Sequence, residues 1–487
     1  MHKSLYILII LFFIFSCKEK VTNTTIINAL PSVFPDYTGV TIPYNIAPLN
    51  FTVQEDFEIL DVQFSGKNES TLQIQNRGAL SIPVEQWHDF LDINKGDSIS
   101  VQVYLKKEDL WYQYKPFTLF ISSYPIDYGI VYRLIAPGYE TYSNMGIYER
   151  NLSNFKQRAI IENTQITNSC LNCHTFNQGN PHQQGIHIRG EHGATVIKTN
   201  NQIKVLKSKS DSILGSIMYP YWHPSGRYIA YSTNLVRQSF HTTPNDLMDS
   251  FDENSDILLY DIGNNQLICN NLIAGKAFET YPSFSADGKT MYFCTAEPRQ
   301  MPREIKTARY NICSVPFFPE TGTFGEKVDT LIHASSENTS ATLPRESHNG
   351  RYLMYTVSNY SNFPLYHKDS DLWLLDLQTG IKRALNEVNS GYADSYHNWS
   401  TNSHWFVFGS RREDGMFTRA YIAYMGDNGT AGKPFLLPQE NPDEFYADLF
   451  LSYNSMEFVT EKVPFDAKET ENLLMSDKRL EMEFIRK

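Results

Sequence analysis

Cysteine is scarce in this chain, which has 6 cysteines among 487 residues. Three of them lie in apolar, strand-like runs, a setting that predicts buried and unreactive thiols rather than a disulfide framework. These three are Cys269, Cys294 and Cys313. The other three stand in sequence contexts of their own and are Cys17, Cys170 and Cys173.

Positive charge is also in short supply, with 42 lysines and arginines against 54 aspartates and glutamates. The net charge of −12 argues against nucleic acid or an anionic membrane surface as the partner. The sequence contains no G-x-S-x-G, H-E-x-x-H, EF-hand or phosphate-loop motif. We therefore favour a non-enzymatic role over an enzyme.

Long apolar runs are missing except near the N-terminus, where Leu5 to Phe15 is apolar or aromatic throughout. This run is too short to span a bilayer and, after a short basic start, has the form of a signal peptide. Cys17 follows almost directly, and residues 1–17 resemble the lipobox of bacterial lipoproteins, in which such a cysteine is acylated. The resemblance implies a membrane anchor at Cys17 and an outer-membrane lipoprotein of the cell envelope, on its periplasmic or surface face. An ordinary cleaved signal with an incidental cysteine is the alternative.

The composition favours an all-β protein, since 14% of the residues are aromatic, 26 are Gly and 23 are Pro. Residues 18–45 are predicted to be a linker. In residues 46–122, short alternating runs such as Ser98 to Val103 are separated by turn residues. That pattern predicts a small β-sandwich domain.

A repeat occupies residues 123–487. Its first half is a strand, a polar tight turn and a second strand, and its second half is another hairpin, clearest at Asp371 to Leu385. Four strands per unit predict a β-propeller blade. Blades starting near residues 124, 166, 219, 281, 343, 396 and 446 give about seven, with six and eight also compatible. The turn positions recur every 52–62 residues, at Gly226, Gly288, Gly350, Ser403 and Ser455.

These repeats resemble those of TolB-type propellers, whose signature is a W-S-P-D-G-like turn followed by a D-L-W-L-L-D-x-x-T-G-like hairpin. The matching stretches here are Trp222-His223-Pro224-Ser225-Gly226 and Asp371 to Gly380. The resemblance covers roughly residues 124–460 and implies a propeller of the TolB type.

The most informative short motif is Cys170-Leu171-Asn172-Cys173-His174. Two thiols at this spacing, followed directly by a histidine, are typical of c-type haem attachment. Cys170 and Cys173 would form the thioether bonds, and His174 would be the proximal iron ligand. The segment 166–192 is too short to enclose a haem alone, so one covalent haem c would pack against the propeller, the sandwich or both.

The second iron ligand has two candidates. His187 lies close to the motif in sequence, with Arg189 two residues on as a candidate donor to a haem propionate. His223 stands in a turn where the next repeat has a serine. Without haem, the two cysteines would form a disulfide hairpin, or half of a zinc site completed by His182 and His187.

The motif within the repeat also resembles a group of bacterial envelope lipoproteins, often described as cytochrome-related, that carry a C-x-N-C-H segment in a TolB-like propeller. No established activity comes with that resemblance. The sequence thus predicts an envelope-anchored haem protein that transfers electrons or senses redox state, with the propeller as scaffold and docking surface for a protein redox or envelope partner. The alternative is a non-redox binding or scaffolding propeller, and a haem enzyme acting on peroxide is a weaker third.

Overall fold

The computed structural model of the chain describes residues 18–137, 144–166, 169–200, 202–209, 213–243, 246–476 and 478–487. The predicted signal segment and Cys17 lie outside these ranges. Within them, none of the helices is long and apolar enough to cross a membrane.

The N-terminal domain has one sheet of seven strands, a second sheet of two strands and one helix. In the large sheet the order is β1-β8-β7-β5-β6, with β9 also paired to β7 and β3 paired to β9, whereas β2 and β4 form the small sheet. The elements are β1 (Thr24–Ile26), β2 (Val33–Phe34), β3 (Thr41–Pro43), β4 (Thr52–Val53), β5 (Ile59–Ser65), β6 (Thr71–Asn76), α1 (Val84–Asn94), β7 (Ser98–Lys107), β8 (Leu110–Gln113) and β9 (Phe117–Ser122).

Hydrophobic periodicity explains the two longest elements of this domain. Along β7, every second side chain is buried, from Ile99 to Leu105, as expected for a strand with one face on a core. Along α1, the buried side chains of Trp87, Phe90, Leu91 and Asn94 follow helical spacing. The alternating pattern therefore predicted strands here correctly.

Residues 18–45, predicted as a linker, instead contribute strands to this domain. Strand β1 pairs in parallel with β8, and β3 pairs in parallel with β9. The expected sandwich is also unequal, with a two-stranded second sheet. The reason is that short segments such as Thr41–Pro43 gain their stability from an existing sheet edge rather than from their own periodicity.

The rest of the chain forms the predicted β-propeller. Its strands are β10 (Gly129–Ile135), β11 (Gly146–Asn151), β12 (Gln157–Glu162), β13 (Ser169–Asn177), β14 (Asn180–Gly190), β15 (Ala194–Thr199), β16 (Gln202–Leu206), β17 (Ile217–Trp222), β18 (Tyr228–Thr243), β19 (Asp246–Asp261), β20 (Gln266–Cys269), β21 (Phe278–Phe284), β22 (Thr290–Ala296), β23 (Asn311–Phe318), β24 (Thr323–Phe324), β25 (Asp329–Ile332), β26 (Ser340–Glu346), β27 (Tyr352–Ser358), β28 (Asp371–Asp376), β29 (Lys382–Ala384), β30 (Asp394–Trp399), β31 (Trp405–Ser410), β32 (Arg419–Tyr424) and β33 (Phe435–Leu436), followed by α2 (Pro442–Asp448), β34 (Ser452–Val459), α3 (Ala467–Met475) and β35 (Glu483–Arg486).

The propeller has six blades, and the first is built from both ends of the repeat region. Blade 1 has the strand order β12-β11-β10-β34, so its innermost strand comes from near the C-terminus. Blades 2 to 6 begin with the inner strands β13, β17, β21, β26 and β30. Each inner strand contacts the next, and β34 contacts both β30 and β13, which closes the ring. The sequence-based number of about seven counted the two parts of blade 1 separately, and six is the lower of the compatible numbers. The turn expected at Ser455 is also wrong, since this residue lies inside strand β34.

The core is divided among the interfaces between blades. Five apolar clusters each join one pair of neighbouring blades, from blades 1 and 2 round to blades 5 and 6. The sixth joins blade 6 to blade 1 and continues into the N-terminal domain, where Trp405 and Tyr132 share a cluster with Trp87. The N-terminal domain therefore packs on the propeller at the seam where the ring closes.

Two extensions leave this regular pattern. Strands β18 and β19 continue beyond blade 3 as a paired arm, whose Asp252 carboxyl accepts a hydrogen bond at 2.6 Å from Asn362 in the β27–β28 loop of blade 5. The C-terminal strand β35 pairs in parallel with β20 at the outer edge of blade 3. Together with α3, whose Leu474 side chain is buried, this C-terminal tail packs along the outer edges of blades 1 to 3.

Ring closure by β34 predicts a sharp dependence of stability on the last strand. A variant ending at Leu451 lacks β34 and leaves the inner side of β10 unpaired, so we expect it to lose the cooperative thermal transition of the full chain. A control variant ending at Glu461 keeps β34 but lacks α3 and β35, and should melt cooperatively at a lower temperature. Circular dichroism melts compare them. Cooperative melting of the shorter variant at the temperature of the full chain would show that β34 does not close the ring.

Candidate axial binding site

The inner strands share an unusual backbone feature at one position. Five of the six carry a non-glycine residue with positive φ there, between 48° and 55°. Such conformations are uncommon for residues with a side chain and persist only when the surroundings hold them. These residues are Tyr219, Tyr281, Leu343, Tyr396 and Ser455, and all five line one cavity on the propeller axis.

The axial cavity has a volume of about 60 Å³, which is the space of a few water molecules. A second cavity of about 40 Å³ adjoins it on the side of the tight turns. The two cavities share the side chains of Pro220, Arg345, Asn398 and Glu457. The axial cavity is lined in addition by Cys173, His174, Tyr219, Tyr281, Leu343, Tyr396, His397, Ser455 and Met456.

Burial sets the charge state of this cavity. Desolvation raises the pKa of the Glu457 carboxyl from 4.5 to about 8, against the opposing effects of the Phe176 N–H, which donates to it at 2.9 Å, and of the nearby Arg345 charge. Desolvation, assisted by the charge of Arg345, lowers the pKa of His397 to about 3. At neutral pH these carboxyl and imidazole groups are therefore uncharged, whereas Arg345 is a cation.

The C-x-x-C-H motif lies on β13, where the pairing with β14 is irregular. Cys170 and Leu171 lie opposite Arg189 and Ile188, whereas Cys173 and His174 lie opposite His187 and Ile186, so Asn172 is an extra residue. Arg133 of β10 holds this bulge by donating to the carbonyl oxygens of Leu171 and Asn172.

The bulge decides which side chains share a face. Directly opposite residues of paired strands project to the same side of a sheet, and alternate residues of one strand do too. Cys173 therefore lies on the face toward blade 3, where Arg189 contacts the Met218 sulfur at 3.3 Å, whereas Cys170 packs in the apolar cluster between blades 1 and 2. His174 projects toward blade 1 and donates from Nε2 to the Val131 carbonyl oxygen at 3.3 Å.

This placement does not fit a c-type haem ligated by His174. Such a haem needs both thiols and the proximal histidine around one macrocycle. Here Cys173 and His174 lie on opposite faces of the sheet, both thiols and the imidazole are buried, and the adjoining cavity is far smaller than a porphyrin. His174 and Cys173 instead form part of the wall of the axial cavity.

His187 and His223, the two predicted candidates for the second iron ligand, differ in the hydrogen bonds of their ring nitrogens. His187 is buried, with Nδ1 2.9 Å from the Thr195 hydroxyl and Nε2 lacking a partner among the described residues. His223 has both ring nitrogens occupied, since Nε2 donates to the Gly288 carbonyl at 2.9 Å and Nδ1 bonds the Ser225 hydroxyl at 2.8 Å. His223 thus ties the turn of blade 3 to the turn of blade 4 and has no lone pair free for a metal.

The other predicted cysteine and metal features also have defined places. Cys269, Cys294 and Cys313 are free thiols in the core, as expected. Cys170 and Cys173 are free thiols as well, and desolvation raises the pKa of Cys170. The described ranges contain no group of three cysteine, histidine or acidic side chains that could hold a metal ion, so a complete zinc site is not formed there.

Sequence reasoning missed Arg345 and Glu457 as residues of the axial cavity. A signal for them exists, because the positive-φ residue lies seven positions before the turn residue in four blades and is followed by proline in three. The pairs are Tyr219-Pro220, Tyr281-Pro282 and Leu343-Pro344. The polar residues that line the axial cavity, Arg345, His397, Asn398 and Glu457, lie one or two residues after the positive-φ residue of their strand.

Comparisons with known proteins bear on the fold. No family model matches the chain, and no curated protein matches it. Among solved structures, the β-propeller domain of the Trilobed protease from Pyrococcus furiosus is 12% identical, with a TM-score of 0.33, over 67% of this chain and 79% of that one. Prolyl oligopeptidase B from Galerina marginata is 9% identical, with a TM-score of 0.35, over 68% and 46%. The tricorn protease is 12% identical, with a TM-score of 0.34, over 80% and 39%.

The chain therefore spans less than half the length of the last two proteins. At these TM-scores the likeness supports no inference, and the fold of this chain rests on its own sheets. The class that the sheets define is a six-bladed β-propeller.

The raised pKa of Glu457 predicts how stability changes with pH. Between pH 4.5 and about 8 the folded state keeps a proton that the unfolded state releases, so this group makes stability fall as pH rises through that window. Glu457→Gln cannot ionise and should show a shallower fall in melting temperature from pH 5 to pH 8. Exposed Glu85→Gln serves as control and should follow the wild type. Superimposable profiles for Glu457→Gln and the wild type would contradict the assignment.

Proposed function

We propose that the protein is a binding propeller of the cell envelope that takes a small polar ligand into its axial cavity. One observation carries this proposal: Arg345, Glu457 and Asn398 from three blades converge on a cavity at the axis. Concave sites with a few convergent polar groups and shifted pKa values are the usual places for small ligands. Side chains that only stabilised the ring would have no need of open space between them.

The envelope setting of this proposal comes from the sequence. The apolar segment before Cys17 and its likeness to a lipobox support an outer-membrane lipoprotein anchored at that cysteine. The turn and hairpin repeats support a propeller of the TolB type. In this arrangement the anchor tethers the propeller, and the N-terminal domain, which shares its core with blades 6 and 1, connects the two.

Filling the axial cavity tests the binding proposal. Tyrosine occupies the Ser455 position in three other blades with the same backbone conformation, so Ser455→Tyr should fold and occupy cavity space. We expect a saturation-transfer NMR screen of small carboxylates, amides and polyols to find a class that binds the wild type and loses binding in this variant. Exposed Ser81→Tyr is the control. If every compound binds the wild type and Ser455→Tyr alike, or none binds the wild type, the proposal is wrong.

A second candidate is electron transfer or redox sensing through a covalent haem, with a protein partner docking on the propeller. One observation favours it: with the bulge at Asn172, Cys173 pairs opposite His187 and Cys170 opposite Arg189, so the predicted iron ligand and propionate donor adjoin the two cysteines. The bound group would supply a one-electron redox centre.

Haem staining separates the two candidates. Full-length protein produced in a host competent in c-type haem maturation should stain for haem on a denaturing gel if this second candidate holds. The Cys170→Ser/Cys173→Ser double variant should then lose the stain. Cys294→Ser is the matched control, since Cys294 is buried in another blade. An unstained wild-type band would exclude the haem function.

A further inference from the structure

The Arg345 guanidinium, next to the axis, has fewer hydrogen-bond partners than its N–H groups could serve. Arg345 donates from Nη1 to the Pro344 carbonyl oxygen at 2.9 Å and lies over the Tyr221 ring at 4.8 Å. Among the described residues its guanidinium makes no ion pair and no other hydrogen bond. The remaining N–H groups of Arg345 are thus available toward the two cavities that it lines.

The acidic neighbours do not supply the missing partner. Both oxygens of Glu346 are occupied, one by the Tyr292 hydroxyl at 2.6 Å and the other by the Ala286 N–H at 3.0 Å. Glu457 is protonated at neutral pH, as argued above from its burial, and a protonated carboxyl can donate a hydrogen bond. The shared wall of the two cavities therefore carries net positive charge.

Two further side chains of the axial cavity can donate hydrogen bonds. Tyr281 lines the cavity, is only 1% exposed and interacts with Tyr396 through its hydroxyl. Glu457 can donate as well while it is protonated. Arg345, Tyr281 and Glu457 are therefore the donors that a bound acceptor would meet in this site.

We propose that the axial cavity binds a small carboxylate anion, which Arg345 grips through its planar fork of N–H groups. A carboxylate matches that fork with two parallel hydrogen bonds and offers further lone pairs to nearby donors. The cavity sizes, about 60 and 40 Å³, restrict the ligand to a few heavy atoms in the present conformation. This inference rests on the proposed binding function and adds the chemical class of its ligand.

Glycolate and its neutral analogue glycolamide test the charge requirement on the full chain. Isothermal titration at pH 7 and constant ionic strength should show glycolate binding at least tenfold more tightly than glycolamide. Arg345→Gln should weaken glycolate binding at least tenfold, and Arg345→Lys should restore only part of it, because lysine has no fork. Exposed Arg237→Gln should bind like the wild type.

The outcomes separate the two levels of the proposal. Equal affinity for glycolate and glycolamide, with both lost in Ser455→Tyr, would overturn the carboxylate inference and leave axial binding standing. Glycolate binding that is the same in the wild type and Ser455→Tyr would overturn the inference by placing the anion elsewhere. If Arg345→Gln does not fold, the comparison of the two probes on the wild type still decides the matter.

Discussion

The convergence of six inner strands on one axis is the constraint on which the rest of the structure depends. Strands that meet there cannot all remain regular, and five of them accommodate the meeting with a positive-φ residue and a shift in pairing register. The strain is distributed around the ring and held by the clusters between blades. The same irregularity leaves the axial cavity and directs Arg345 and Glu457 toward it.

Closure of the ring and formation of the site are the same event. Glu457 and Ser455 belong to β34, which lies at the end of the repeat region and pairs with β10 at its beginning. Only when this strand is in place does the Phe176 N–H of β13 reach the Glu457 carboxylate. The N-terminal domain then covers the seam between blades 6 and 1. A ligand bound at the axis would thus stabilise the closed ring, because it contacts strands from several blades.

Much of the fold could be predicted from the sequence, because each propeller repeat consists of two consecutive hairpins with recurring strand and turn patterns. The count exceeded six because strands from opposite ends of the chain form one blade, and spacing along the chain does not show which strands pair. The sequence predicts a linker at residues 18–45 because the strands there are two or three residues long and have no periodicity of their own.

The candidate site was harder to predict for a different reason. The spacing of Cys170, Cys173 and His174 suggested a common target, but a single extra residue in a strand reverses the face on which later side chains lie. Nothing in a five-residue motif shows such a bulge. Arg345 and Glu457 were missed because they lie more than 100 residues apart near the ends of two strands, and only the closed ring brings them together.

The most direct measurement is a crystal structure of the full-length protein from a host that matures c-type haem, with diffraction recorded at the iron edge. Side chains arranged as described predict no iron within bonding distance of His174, a hydrogen bond from His174 Nε2 to the Val131 carbonyl oxygen, and Arg345 facing the axial cavity. An iron peak within bonding distance of His174, with Cys170 and Cys173 joined to the same haem, would contradict this arrangement.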